Sequence, residues 1–133
     1  MKIPYVNIKE QYRLERKKLL KVIDYALSSG RWVAGEEVEK FERSVSKICG
    51  TKYCVSLNSG TDALTLALHL LGVRRGDEVI TPPNSFIAST AVIAHLGAKP
   101  IFVDIKKDQN LDENQIESKI SKKTKAIMPV HLT

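Results

Sequence analysis

The chain has 133 residues, 43% of them hydrophobic and 27% charged, which fits roughly one globular domain and excludes a disordered chain. No apolar run approaches the ~18 residues of a membrane span, and the charged N-terminus lacks the apolar core of a secretory signal. We therefore expect no membrane partner and a cytoplasmic location. Cys49 and Cys54 make neither a disulfide framework nor a zinc ligand set, so no metal site is expected.

The formal net charge of +6 is concentrated near the N-terminus. Residues 1–21 contain seven Lys or Arg and two Glu, which leaves +5 (7 − 2) in that stretch. A basic stretch is typical of nucleic-acid binding, but here aromatic side chains do not alternate with the basic ones as base stacking requires. We interpret it as a solvated helix face and expect no nucleic-acid partner. Long-range attraction of an anionic small substrate is the remaining alternative.

Two helices are predicted in the first part of the chain. Apolar residues recur at helical intervals over residues 11–29, and Gly30 is a stop signal. Residues 31–35 (RWVAG) predict an irregular loop that holds the single tryptophan. A second helix is predicted over residues 36–49, because three glutamates lie in its first turn, where the helix dipole favours them, and Gly50 follows its end.

The rest of the chain alternates short apolar strands with helices. Strands are predicted at 53–57, 78–81, 100–104 and 125–130, and helices at 61–71, 86–96 and 112–120. Near-continuous apolar strands separated by helices indicate an α/β fold with a parallel sheet covered by helices. The chain stops soon after the last strand without a covering helix, so we expect either a partner or a longer protein of which this is the front part.

The loop after the first predicted strand, NSGTD (residues 58–62), suits an anion. Gly60 lets the backbone approach a ligand, a helix start offers unpaired N–H groups, and the Ser59 and Thr61 hydroxyls are donors. A purely structural interpretation is equally simple: Ser59 or Thr61 caps the helix and Asp62 compensates its dipole. Residue chemistry leaves both open. Neither the P-loop pattern nor G-x-G-x-x-G is present, which disfavours nucleotide hydrolysis and simple dinucleotide binding.

A second loop, PPNSF (residues 82–86), follows the next predicted strand. In a parallel sheet, ligands bind beyond the carboxyl ends of the strands, so both loops are predicted at the same edge. Phe86 opens the following helix in this prediction. Its ring either stacks on a flat heterocycle or belongs to the core of an apolar helix.

Four segments in a fixed order resemble a known family. They are SGRWVAGEEVEKFE, NSGTDALTLAL, GDEVITPPNSFIASTAVIAHLGAKPIFVDI and TKAIMPVHL. Together they resemble the DegT/DnrJ/EryC1/StrS family of pyridoxal-phosphate-dependent aminotransferases, which act on nucleotide-linked keto-sugars and have the type I aminotransferase fold. The resemblance covers essentially the whole chain. It implies that residues 1–133 are an N-terminal segment plus the first part of the large, cofactor-binding domain, incomplete at Thr133.

The resemblance also implies ligands and site residues. The cofactor is pyridoxal 5'-phosphate, the substrate a nucleotide sugar, the amino donor glutamate and the assembly a homodimer. The segments IPYVNIKEQY and PPNSFIAST resemble members of the family that aminate a 3-keto sugar more than members that aminate a 4-keto sugar. The implied contacts are to the cofactor phosphate from Ser59, Gly60 and Thr61, to the pyridine ring from Phe86, and to the nucleotide part of the substrate from Arg31 and Trp32.

No catalytic residue is expected within the chain. In the family, the Schiff-base lysine and the aspartate against the pyridine nitrogen follow the PVHL strand, so both fall beyond Thr133, and the 133 residues alone are predicted to be inactive. Asp104 is interpreted as a strand-end residue with a turn or capping role, and His131 as an active-site rim residue at most. Two alternatives stay open: a sugar dehydratase of the same family with histidine in place of the lysine, and a non-catalytic α/β interaction module.

Overall fold

The computed structural model of the protein describes residues 4–33 and 35–132. It contains two compact units, Met1–Ser56 and Leu57–Thr133. The first unit holds helices α1 (Ile8–Ser28) and α2 (Glu36–Cys49). The elements of the second unit, in chain order, are α3 (Gly60–Leu70), β1 (Glu78–Thr81), α4 (Ala88–His95), β2 (Lys99–Phe102), a 3₁₀ turn (Glu113–Gln115) that continues into α5 (Ile116–Lys119), and β3 (Thr124–Ile127).

The two helices of the first unit have clear end signals. α1 begins three residues earlier than predicted because the Asn7 side chain accepts a hydrogen bond from the Glu10 N–H at 3.1 Å. α2 has the predicted bounds. It ends at Gly50, whose φ of 65° lies in the left-handed region that glycine adopts without steric cost. Of the predicted RWVAG loop, Ala34 lies outside the described residues.

The sheet of the second unit is parallel, with strand order β2-β1-β3. Val79 of β1 faces α3 and α4, where it packs with Leu68 and Val92. The next residue, Ile80, faces the opposite side of the sheet in a second cluster with Val103 and Leu111. Because successive residues of a strand point to opposite faces, the sheet buries apolar side chains on both sides. The predicted α/β fold with a covered parallel sheet is confirmed.

One predicted strand is wrong. Residues 53–57 (YCVSL) are irregular, and within the described part of the chain they pair with no strand. A strand needs a hydrogen-bonded neighbour as well as an apolar pattern, and that requirement is non-local. The side chains of Tyr53 and Val55 are correspondingly exposed. The last predicted helix is also shorter: residues 113–119 form the 3₁₀ turn and one turn of α-helix, capped by Asp112.

Helices α3 and α4 both begin at the carboxyl edge of the sheet. Gly72, just after α3, lies beside the Lys125 side chain at the start of β3. Gly97, just after α4, accepts a hydrogen bond from the Gly76 N–H at 3.2 Å, two residues before β1. Both helices therefore end at the amino edge and run antiparallel to the strands. Among the described residues, no helix is long and apolar enough to cross a membrane.

Candidate functional site

The start of α3 leaves two backbone donors unpaired. Ser59 is the N-cap; its Oγ accepts from the Asp62 N–H and its carbonyl from the Ala63 N–H, both at 3.1 Å. Within residues 4–33 and 35–132, the N–H groups of Gly60 and Thr61 and the Thr61 hydroxyl have no hydrogen-bond acceptor. These exposed donors lie at the positive end of the helix dipole, which is a favourable environment for an anion.

Open space in front of Gly60 makes these donors accessible. A Cβ atom placed on Gly60 would meet no atom within 4 Å, and the backbone does not adopt a positive φ there. Neither strain nor packing within the described chain therefore requires glycine at this position. The open space and the two free N–H groups fit a phosphate group such as that of pyridoxal phosphate.

Ser59 has a structural role of its own. Its hydroxyl accepts from the Asp62 N–H and donates to Asp62 Oδ2 at 2.9 Å, so Ser59 caps the helix and the Asp62 carboxylate orients the capping hydroxyl. Of the two residues predicted as a possible N-cap, the structure has Ser59, and Thr61 is the second residue of the helix. The hydroxyl free for a ligand is that of Thr61.

Phe86 lies just before α4, two residues earlier than the helix begins. Its carbonyl accepts from the Ser89 N–H at 3.1 Å, and its side chain is 76% exposed. The prediction that Phe86 opens the helix is wrong, and so is the alternative that it belongs to the core. The face of α4 that is buried carries Ala88, Ser89, Val92 and Ile93 instead. A large aromatic side chain left exposed beside a sheet edge is available to a flat ligand.

The second unit therefore places two of the predicted contacts at one edge. Ser59–Thr61 open α3, Phe86 precedes α4, and both helices begin at the carboxyl edge of the sheet. This is the edge at which open parallel sheets bind their ligands. Chemically, the arrangement offers hydrogen-bond donors for an anion and an aromatic face for a planar ring.

Arg31 and Trp32 belong to the first unit, in the loop between α1 and α2. The Trp32 indole N–H donates to the Leu27 carbonyl at 3.1 Å, although the residue is 74% exposed. Arg31 pairs with Glu36 at 3.5 Å in an exposed ion pair, a type worth at most about 1 kcal/mol. A cleft of about 260 Å³ runs along these residues and Val38. The Arg31 guanidinium and the Trp32 indole, which both line this cleft, are available to a ligand.

A hairpin at the carboxyl edge, residues 105–111, is a feature that sequence reasoning missed. It follows β2 and is closed by an antiparallel bridge between Ile105 and Leu111. Hydrogen bonds lower carboxyl pKa values in and next to this hairpin. A hydrogen bond from Lys106 lowers the pKa of Glu113 and raises that of Lys106, and a backbone hydrogen bond from Asn110 lowers the pKa of Asp108. The described residues contain no cluster of potential metal ligands.

Comparison with known proteins identifies the family. The model of the DegT/DnrJ/EryC1/StrS aminotransferase family matches residues 13–133. The chain belongs to this family. The resemblance found in the four sequence segments is thereby confirmed.

Individual members of the family are similar over nearly the whole chain. The dTDP-3-amino-3,6-dideoxy-alpha-D-galactopyranose transaminase of Aneurinibacillus thermoaerophilus is 41% identical over 132 residues, 98% of this chain and 36% of that protein. The crystal structure of S. venezuelae DesV, in complex with a reaction intermediate, matches with a TM-score of 0.92 at 40% identity, over 98% of this chain and 35% of DesV. The structure of Bacillus subtilis NtdA, with its cofactor PMP bound, matches with a TM-score of 0.91 at 35% identity. The match covers 98% of this chain and 31% of NtdA.

The chain thus spans about a third of the length of the relatives it matches. The chain belongs to an aminotransferase family and matches these structures over nearly its whole length, so the fold prediction of a portion of an aminotransferase is confirmed. The site residues are not tested by these similarities and stay predictions.

Proposed function

We propose that this chain is the N-terminal segment and the first part of the cofactor-binding domain of a pyridoxal-phosphate-dependent aminotransferase. The substrate is a nucleotide-linked keto-deoxysugar, the amino donor glutamate. The observation that carries the proposal is the pair of unpaired N–H groups at Gly60 and Thr61, on the same sheet edge as the exposed Phe86. Membership of the aminotransferase family and the PMP bound in NtdA support it.

In this proposal, the start of α3 holds the cofactor phosphate. The N–H groups of Gly60 and Thr61 and the Thr61 hydroxyl donate to its oxygens, and the helix dipole adds to the attraction. Ser59 holds the turn in place through Asp62. Fixed donors at the phosphate orient the whole cofactor, because the phosphate lies at one end of a rigid planar molecule.

Phe86 contributes the contact with the ring. Its aromatic side chain lies on one face of the pyridine and keeps water away from that face. When bound, pyridoxal phosphate supplies an electron sink that stabilises the carbanion formed when a proton leaves the substrate carbon. The residues of this chain bind and orient the cofactor. The lysine that moves the proton is not among them, so the 133-residue chain alone is expected to show no transaminase activity.

The first unit is proposed to bind the nucleotide part of the substrate. The Arg31 guanidinium suits a phosphate of a nucleotide sugar, and the Trp32 indole suits stacking on a base. Amination at carbon 3 of the sugar is proposed because the chain reads IPYVNIKEQY and PPNSFIAST, and because the name of the Aneurinibacillus relative specifies a 3-amino sugar. A homodimer, as the family resemblance implies, and the cytoplasmic location expected from the sequence complete the proposal.

The test uses a full-length protein that contains this chain. We expect it to bind pyridoxal phosphate and turn yellow, glutamate to discharge the colour, and borohydride to fix the cofactor to a lysine. In a separate sample without borohydride, the glutamate-treated enzyme should transfer its amino group to a 3-keto nucleotide sugar. A full-length protein that never binds pyridoxal phosphate would contradict the proposal and favour a non-catalytic interaction module.

A further inference from the structure

The hairpin of residues 105–111 is anchored at both ends. Its bridge between Ile105 and Leu111 is extended by a hydrogen bond from the Lys106 N–H to the Asn110 carbonyl at 2.9 Å. Leu111 is buried with Ile80 in the cluster on one face of the sheet. The hairpin therefore has a fixed base at the end of β2, and its tip lies over the carboxyl edge.

Two hydrogen bonds connect this hairpin to the segments that follow the other strands. The Asn84 side-chain amide, in the loop after β1, donates to the Gln109 carbonyl at 3.2 Å. The Leu132 N–H, after β3, donates to Asn110 Oδ1 at a longer 3.4 Å. Since the strand order is β2-β1-β3, the hairpin reaches past the end of β1 to the segment beyond β3, about two strand spacings or ~10 Å away.

The tip of the hairpin has an unusual backbone. Gln109 has a φ of 66°, and it is the one non-glycine residue with positive φ in the described part of the chain. A side chain in this left-handed region is disfavoured and persists only where surrounding contacts hold it. The carbonyl of this residue is the one that accepts from Asn84, so the strained conformation and the contact to the loop occur at the same peptide.

The loop of residues 82–87 depends on that contact. Pro82 is fully buried at one end of the loop and Ala88 is buried at the other, while Phe86 between them is exposed. Among the described residues, the amide of Asn84 makes the loop's one side-chain hydrogen bond to another segment. The backbone of the loop that carries Phe86 is therefore held by two buried ends and this tether.

We infer that Asn84 is a positioning residue for the cofactor site, because its bond to the Gln109 carbonyl at the tip of the 105–111 hairpin fixes the loop that presents Phe86. This inference rests on the proposed function, in which Phe86 contacts the pyridine ring. In that proposed function, Asn84 itself contacts neither the cofactor nor the substrate. Through these two hydrogen bonds, the hairpin fixes the loop after β1 and the segment after β3 relative to each other.

The experiment compares variants of a full-length protein that contains this chain. Asn84→Asp is isosteric but has no N–H to donate, and Asn84→Ala removes the whole amide. The matched control is Asn114→Ala, because the Asn114 amide donates only to Asp112 in its own turn. The readouts are the dissociation constant of pyridoxal phosphate, the visible circular dichroism of the bound cofactor, and the melting temperature of the cofactor-free protein.

We expect both Asn84 variants to weaken cofactor binding by about fivefold, the equivalent of one ordinary hydrogen bond. Their visible circular dichroism should fall as well, because the ring becomes less firmly oriented, while Asn114→Ala matches the wild type in both readouts. Wild-type affinity and dichroism in the two Asn84 variants would overturn the inference. A loss confined to melting temperature would also overturn it, since that indicates a purely structural residue. Absence of cofactor binding in the wild type would instead refute the proposed function first.

Discussion

Ser59 and Asp62 form a reciprocal pair at the start of α3: the Asp62 N–H donates to Ser59 Oγ at 3.1 Å, and that hydroxyl donates to Asp62 Oδ2 at 2.9 Å. This pair shows which groups of the loop cap the helix and which are free to bind a ligand, two roles that the sequence alone does not distinguish. Ser59 caps the helix, and the groups left free for a ligand are the Gly60 and Thr61 N–H groups and the Thr61 hydroxyl. The mutational predictions for this loop follow from that division.

Replacing Ser59 with alanine should lower stability through the cap. Loss of an N-cap hydroxyl costs about 1 kcal/mol, within a range of roughly 0.5–2 kcal/mol. Denaturant unfolding of the cofactor-free full-length protein measures this change. Asp62→Asn is the informative partner variant, since it keeps the backbone N–H that Ser59 accepts from but removes the carboxylate. Unchanged stability in Ser59→Ala would show that the cap contributes nothing.

Replacing Thr61 with valine should affect the cofactor and not the fold. The hydroxyl has no partner among the described residues, so stability should stay within about 0.5 kcal/mol of the wild type. Affinity for pyridoxal phosphate should fall by about 1.5–3 kcal/mol, the value of a hydrogen bond to a charged group. The control is Thr65→Val, because the Thr65 hydroxyl is already bonded to the Thr61 carbonyl at 2.9 Å. Equal cofactor affinity in both variants would contradict a role for Thr61.

Phe86 should tolerate substitution in folding but not in cofactor binding. Its exposed side chain contributes little to the core of the second unit, so Phe86→Leu should unfold at nearly the wild-type temperature. Loss of the aromatic face should weaken the cofactor by about 0.5–1.5 kcal/mol. Phe86→Tyr keeps the ring and should bind normally. If Phe86→Leu fails to fold, or if it binds as tightly as Phe86→Tyr, stacking is not the role of this residue.

The 105–111 hairpin should loosen in acid. Hydrogen bonds from Asn110 and Lys106 lower the pKa values of Asp108 and Glu113 respectively. Groups with a lowered pKa contribute stability above their unfolded-state pKa, near pH 4, and lose it as the pH falls through the folded-state value. The raised pKa of Lys106 keeps the ion pair intact up to about pH 10.

Hydrogen exchange of the Lys106 and Asn110 amides, measured at several pH values, tests this prediction. The free energy of opening of the hairpin should be constant from about pH 5 to pH 9 and should decrease below about pH 4. In Glu113→Gln, which cannot titrate, the remaining acid dependence should be smaller. An opening free energy that does not change between pH 5 and pH 3 would contradict the account.

Local signals in the sequence were sufficient for several elements. α2 has its predicted bounds because three glutamates and Gly50 mark its ends, and β1 has its predicted bounds within the parallel sheet. The carboxyl-edge position of residues 82–86 also followed from strand–helix alternation, whereas that of residues 58–62 was inferred from a preceding strand that does not form. These features depend on residues close together in the chain, so their patterns are readable without coordinates.

The wrong strand and the missed hairpin contact depend on interactions between distant residues. Residues 53–57 have a strand-like pattern, but a strand requires a neighbour that the pattern does not specify. The Asn84–Gln109 hydrogen bond joins residues 25 positions apart, and a glutamine in a left-handed conformation follows no turn signature. Phe86 fits an apolar helix by composition, and only the observed start of α4 at Ala88 placed its ring outside the core.

The most direct test of the cofactor site is a crystal structure of a full-length protein containing this chain, with pyridoxal phosphate bound. We predict phosphate oxygens at about 3 Å from the Gly60 and Thr61 nitrogens and the Thr61 hydroxyl, with the Phe86 ring against the pyridine. A phosphate held by another element, with the Gly60 and Thr61 amides facing only solvent, would contradict it.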